Sequence, residues 1–188
     1  MSYCSFIQGL KKEDELNVNK IYHDHHYGFP IEDDNELFGR LLLEINQAGL
    51  SWTTILKKQD AFKKAYHEYN IQKIANYKAK DIERLLLDSG IIRNRLKIAA
   101  AIHNAGVIIG LQKEFGSFKN WLDLHHPQPK QQWVKLFKQT FKFTGGEITG
   151  EFLMSTGYLP GAHDMDCPVQ KKLNKLKNLP LNRKPLKK

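Results

Sequence analysis

The stretch LLLDSGIIRNRLKI, residues 85–98, decides the fold. Two apolar helical segments meet across Ser89-Gly90, a pair suited to a tight turn because glycine tolerates positive φ and close backbone approach. Ile91 and Ile92 are placed to fill the angle between the helices. Free amides at the start of the second helix are expected to face outward as an anion site, ringed by Arg93, Arg95 and Lys97. A helix–hairpin–helix of this kind holds a DNA backbone through Gly90, Ile91 and the three cations without reading bases. An ordinary αα-corner with surface cations has the same pattern, so the stretch alone leaves both readings open.

Helical periodicity extends in both directions from this turn. In DDNELFGRLLLEINQA, residues 33–48, Leu37, Leu41, Glu44 and Ala48 share one stripe. Asp33 with Glu36 fits a capping box, and Gly49 fits the position just past the helix end. A second helix is expected over 51–66, with Trp52, Ile55, Leu56 and Phe62 as its apolar residues. Others are expected over 71–77, over 81–87 with Asp81 as N-cap, and over 93–115, 118–124, 131–139 and 146–156. Strand-like alternation is nearly absent, so the fold class is all-α.

With 188 residues, 41% of them hydrophobic, the chain can build one core, as one domain or two helical lobes sharing it. No run of about 18 apolar residues suggests a membrane span, and MSYCSFIQGLKKEDE lacks an apolar signal region, so a cytoplasmic location is expected. The net charge of +9 suggests a polyanionic partner, yet residues 170–188 carry eight Lys or Arg and no acid, leaving +1 for the rest. The reading is a domain over 1–169 followed by a basic, flexible tail over 170–188.

Cys4 and Cys167 lie near opposite ends, each with histidines in its half of the chain: His23 in YHDHHYG, and His163 in GAHDMDC. Two thiolates and two imidazoles make a closed tetrahedral set of the kind that holds structural zinc. His25 and His26 stand beside His23, so residue chemistry alone leaves the ligand choice open.

Taken in order, these pieces resemble the 3-methyladenine DNA glycosylase I family, the constitutive Tag-type enzymes. The resemblance is carried by Cys4, Tyr22-His23-Asp24 with Tyr27-Gly28, Glu44, QAGLSW at 47–52, Leu56-Lys57-Lys58, Asp88 and Gly90-Ile91-Ile92-Arg93. Phe141-Lys142-Phe143 with Gly145, and Gly157 followed by His163 and Cys167, complete it over about 1–167. The resemblance implies a helix–hairpin–helix glycosylase fold with a zinc site, held by Cys4, His23, His163 and Cys167, joining the termini. It also implies that Glu44 contacts an extruded base between the aromatic walls Tyr22 and Trp52.

Chemistry makes that assignment reasonable. 3-Methyladenine in DNA is cationic and departs as a neutral base, so its glycosidic bond is already weak. The enzyme must extrude the base and prefer a positively charged ring. Aromatic faces attract such a ring by about 0.5–2 kcal/mol each. A carboxylate accepting a charge-assisted hydrogen bond adds roughly 1.5–3 kcal/mol.

The chain departs from the family pattern in places. Phe6 and Tyr27 stand where tryptophan is usual and are counted with the base pocket, and Glu147 falls in a stretch that is usually threonine-rich. The segment between Cys4 and His23 is longer than usual. The activity expected is that of a monofunctional, monomeric glycosylase hydrolysing the N-glycosidic bond of 3-methyladenine, or a close relative, in double-stranded DNA. The alternative is a non-catalytic zinc-containing module that binds damaged DNA.

Overall fold

The stripe on residues 33–48 becomes helix α3 (Asp34–Gln47), which nine buried side chains or glycines bind into the core. Asp33 caps it, its carboxylate accepting from the Glu36 amide at 2.9 Å. The reciprocal half of the expected capping box is absent, because the Glu36 carboxylate pairs instead with Lys63. Gly49 ends the helix with φ 85°, the left-handed conformation a glycine accepts without steric cost.

The computed structural model describes residues 2–10 and 17–183, and among these every regular element is helical. Before α3 come α1 (Tyr3–Gln8) and α2 (Val18–His25). After it come α4 (Trp52–Leu56), α5 (Gln59–Ala65), α6 (Ile71–Ala75), α7 (Ala79–Leu87) and α8 (Arg95–Phe115). The chain closes with α9 (Phe118–His125), α10 (Lys130–Thr140), α11 (Gly146–Ser155), α12 (Pro168–Leu173) and a 3₁₀ turn at Pro180–Asn182. Helix α3 packs against α4, α5, α8, α9 and α11. Asp34, at its first turn, accepts from the Phe118 and Lys119 amides and from Gln112, so one carboxylate ties α3 to the α8–α9 junction. Part of the longer Cys4–His23 segment, 11–16, lies outside the described residues.

Several expectations are corrected. The helix expected over 51–66 is two short ones, because the chain bends at Lys57-Lys58 and sends the Lys58 ammonium to the Ser89 and Gly90 carbonyls at 2.9 and 3.2 Å. Asp81 sits inside α7 rather than at its cap, accepting from the Lys78 amide at 3.0 Å. The segment from 170 is not a loose tail: Leu173 and Leu179 are buried, and Arg183 reaches Asp123 at 2.9 Å. Apolar residues recurring every three or four positions among the lysines give it a face to bury. Residues 184–188 lie outside the described residues.

One close approach governs the α3 surface. His67, Glu68 and Tyr69 all have positive φ (51°, 56° and 56°), and this left-handed turn delivers the Tyr69 ring to Gly39. A Cβ on Gly39 would lie 2.2 Å from the Tyr69 ring. Gly39→Ala is therefore expected to destabilise the protein by about 1–3 kcal/mol despite alanine's better helix propensity. A thermal or urea melt checks this; unchanged stability would show that the ring moves freely.

Candidate functional site

Helix α3 turns Glu44 away from water, leaving it 4% exposed. The side chain borders a cavity of about 480 Å³ lined by Tyr3, Tyr22, Tyr27, Glu44, Gln47, Trp52, Glu147 and Glu151. That volume lies within the range of small-molecule sites. The turn after Gly49 brings Trp52, the first residue of α4, edge-to-face with Tyr22 at 5.2 Å between ring centroids. Tyr27 packs on Tyr22 at 5.5 Å, and Tyr3 on Tyr27 at 5.7 Å.

Behind Tyr22, outside this cavity, Arg40 lies 5.0 Å from the ring centroid. It donates to the Tyr22 hydroxyl at 3.1 Å and to the Ser155 carbonyl at 3.3 Å. Arg40 thus fixes one wall and holds down the Glu44 ionisation cost. Burial nonetheless dominates, pushing the Glu44 carboxyl up to about 8, with Glu151 adding to the rise. Among the described residues no hydrogen bond satisfies the Glu44 carboxyl.

The structure gathers Tyr22, Tyr27, Glu44 and Trp52 at one cavity. It does not bring Phe6 there: Phe6 is 42% exposed and lies on the outer side of Tyr3, their rings 6.3 Å apart. The helical turn of α1 points Tyr3, not Phe6, into the cavity. Sequence reasoning missed Tyr3, Gln47 and Glu151. Glu151 had a signal, standing four residues after Glu147 and so on the same helix face. Glu147 itself is at the rim, its side chain 92% exposed and 3.7 Å from Lys130.

The four proposed ligands converge. Cys4, His23, His163 and Cys167 are all buried, with one candidate ligand atom each within 4.8 Å of the others. The His23 Nε2 lies 3.3 Å from Cys4 Sγ and 3.8 Å from Cys167 Sγ. The His163 Nδ1 lies 3.6 and 3.9 Å from the same sulfurs, and 3.2 Å from His23 Nε2. Bonds of about 2.0 Å to nitrogen and 2.3 Å to sulfur in a tetrahedron would separate the ligand atoms by roughly 3.3–3.8 Å, so the donor set suits one small cation.

The outward ring nitrogens are also engaged: His23 Nδ1 with Asp24 at 2.7 Å, and His163 Nε2 with the Tyr27 carbonyl at 2.8 Å. Such partners orient ligating histidines. Burial pushes the Cys4 thiol up to about 11, a penalty on the thiolate that a bound cation would offset. His25 and His26 belong to the surface beside Phe29 and Arg40, not to this cluster.

The turn between α7 and α8 has the expected tight form, with two corrections. Ile91 is buried, while Arg93 and Arg95 are exposed. Space at Gly90 is tight: a Cβ would lie 3.0 Å from Ala61 Cβ and from Asp88 Oδ1. The amides at the start of α8 are not all open, because Asn94 accepts from Leu96 and Lys97 at 3.0 and 3.1 Å. Lys97 is no surface cation. It is 8% exposed, and its ammonium donates to the Asn46 and Ala48 carbonyls at 3.0 and 2.9 Å, fastening α8 to the end of α3.

Among the described residues an all-helical frame surrounds a cavity floored by an acid and walled by aromatic rings. The comparisons make this specific. The chain superposes with a TM-score of 0.77 on a crystal structure of a tyrosine-to-phenylalanine variant of 3-methyladenine DNA glycosylase I in complex with 3-methyladenine. The match has 32% identity and covers 90% of this chain and 97% of that one. It is 34% identical over 178 residues to DNA-3-methyladenine glycosylase 1 of Escherichia coli, covering 85% and 94% of the two chains. It is 33% identical over 175 residues to DNA-3-methyladenine glycosylase of Haemophilus influenzae, covering 83% and 94%. A sequence model of the methyladenine glycosylase family matches residues 12–135. The chain belongs to the methyladenine glycosylase family.

The raised Glu44 carboxyl has a thermodynamic consequence. Between 4.5, its ordinary value, and about 8, the folded state holds a proton that the unfolded chain has lost. The resulting penalty is absent below that window and grows through it, at about 1.4 kcal/mol per pH unit before relaxation. Glu44→Gln removes the penalty, so the variant should melt above the wild type at pH 8, with the gap closing towards pH 4. A gap independent of pH would mean that folding does not shift the Glu44 carboxyl.

Proposed function

We propose that this protein excises 3-methyladenine from alkylated double-stranded DNA by hydrolysing its N-glycosidic bond. Family membership supports the reaction class, and the observation that carries the reading is the buried Glu44 that shares one cavity with Tyr22 and Trp52. An extruded cationic base fits between those rings. Its exocyclic amine donates to Glu44, whose own proton passes to solvent as the positive ring arrives. The carbon–nitrogen bond to the sugar then breaks, its electron pair leaves with the base, and the base departs neutral. Water adds to the sugar cation and loses a proton.

No aspartate follows the turn at the start of α8, where Asn94 is the cap. The next, Asp123, is occupied by Lys119, Tyr158 and Arg183. That arrangement suits a labile substrate that needs little help at the sugar. Helices α7 and α8 serve as a helix–hairpin–helix, with Gly90, Ile91, Arg93 and Arg95 on the DNA backbone.

Purified protein incubated with methylated DNA should release 3-methyladenine as free base. Glu44→Ala should lower release by at least about 100-fold with the fold retained, the loss of a charge-assisted contact and of pocket shape together. Arg93→Glu with Arg95→Glu should abolish DNA binding while leaving free 3-methyladenine binding intact. Tight DNA binding without any release would instead make the protein a binding module for damaged DNA.

The Cys4, His23, His163 and Cys167 cluster holds structural zinc in this reading. The metal supplies a cross-link and no reacting group. Elemental analysis should find one zinc per chain. A strong chelator should lower the melting temperature by more than about 10 °C, since such metal binding is part of the folding free energy. Metal-free protein that melts unchanged would remove zinc from the account.

A further inference from the structure

Glu151, the remaining half-buried acid of the cavity, has no role in the reaction as described above. It stands on α11, across from Glu44 on α3, and both line the same space. Tyr27 donates its hydroxyl to Glu151 Oε2 at 3.1 Å, a bond that stabilises the ionised carboxylate and fixes its direction. Other groups around it do not neutralise it. The Lys130 side chain, from α10, crosses α11 at Gly150, where a Cβ would lie 2.6 Å from Lys130 Cε. Its ammonium pairs with the rim carboxylate Glu147 at 3.7 Å. Tyr22 and Tyr27 present neutral phenols, and Glu44 is 4% exposed and without a hydrogen-bond partner among the described residues.

The two acids are therefore inequivalent. Burial, with Glu147 adding, leaves the Glu151 carboxyl raised, but the Tyr27 donor and the nearby Lys130 cation oppose the rise, whereas no donor among the described residues reaches Glu44. With a fixed donor on its oxygen, Glu151 is the better placed of the two to carry charge.

We propose that Glu151, oriented by Tyr27, is a specificity-determining residue: a standing negative charge in the cavity that makes it prefer a base carrying a fixed positive charge. This rests on the cavity being the base pocket. Glu44 then reads the edge of the ring through hydrogen bonding, while Glu151 reads its charge. The pocket would discriminate against uncharged adenine of nearly the same shape, which neither aromatic wall can reject by size.

The test compares two small probes on the full-length protein by calorimetry at pH 7.5. One is 3,9-dimethyladeninium, a permanent cation; the other is 3-methyladenine as the uncharged free base. Glu151→Gln should weaken binding of the cation about tenfold and of the neutral base less than about twofold, the loss of one charge-assisted contact. Glu151→Asp should retain the preference, and Tyr27→Phe should give an intermediate one. Equal losses for both probes in Glu151→Gln, or no change in either, overturns the inference. Wild-type protein that releases 3-methyladenine from DNA but keeps its charge preference in Glu151→Gln sinks only this inference. Wild-type protein that binds neither probe and releases nothing sinks the base-pocket reading as well.

Discussion

Four side chains from opposite ends of the chain meet in one buried cluster, and the cavity is framed by their neighbours. Tyr3 precedes Cys4, and Tyr22 precedes His23. Tyr27 is tied to the cluster through its carbonyl, which accepts from His163. Three of the four aromatic walls are thus bonded to, or hydrogen-bonded with, a member of the cluster. The fourth, Trp52, is set by the turn after α3 and closes against Tyr22. The cluster therefore does more than fasten two ends: it sets the spacing of the rings that a flat ligand would enter.

Burying a carboxyl on an apolar helix is costly unless something else is gained. Here the surrounding charge is arranged to limit the cost without cancelling it. Arg40 favours ionisation of Glu44 from behind Tyr22, while Glu151 opposes it. At the end of the same helix, the Lys97 ammonium satisfies carbonyls that α3 leaves unpaired, a favourable place for a cation. Lys58 does the same for the carbonyls of the α7–α8 turn. Two lysines that composition would assign to a DNA-facing surface are instead directed inward. Lys97 joins the hairpin to the helix that carries Glu44, and Lys58 joins it to the start of α5.

Much of this was legible in the residues. The stripe of Leu37, Leu41 and Glu44, with a cap at Asp33 and Gly49 beyond the end, gave α3 nearly to the residue, because local propensity and burial agree there. Which histidines join Cys4 and Cys167 was not readable from residue chemistry, since His25 and His26 stand beside His23; the family resemblance supplied the choice. What stayed hidden depends on tertiary direction. Whether Tyr3 or Phe6 faces inward is set by the rotation of a six-residue helix. Lys97 looks like any surface lysine until the end of α3 is laid against it. The lysine-rich end concealed its apolar spacing under charge, and the Glu151 contact with Tyr27 spans 124 positions.

The same closure constrains how the protein is made. Cys4 meets His163 across 159 positions of chain. A nascent polypeptide emerging from the ribosome can form α3 and the hairpin early, but it cannot bring Tyr3 and Tyr22 to their final spacing until the last of the four cluster residues has emerged.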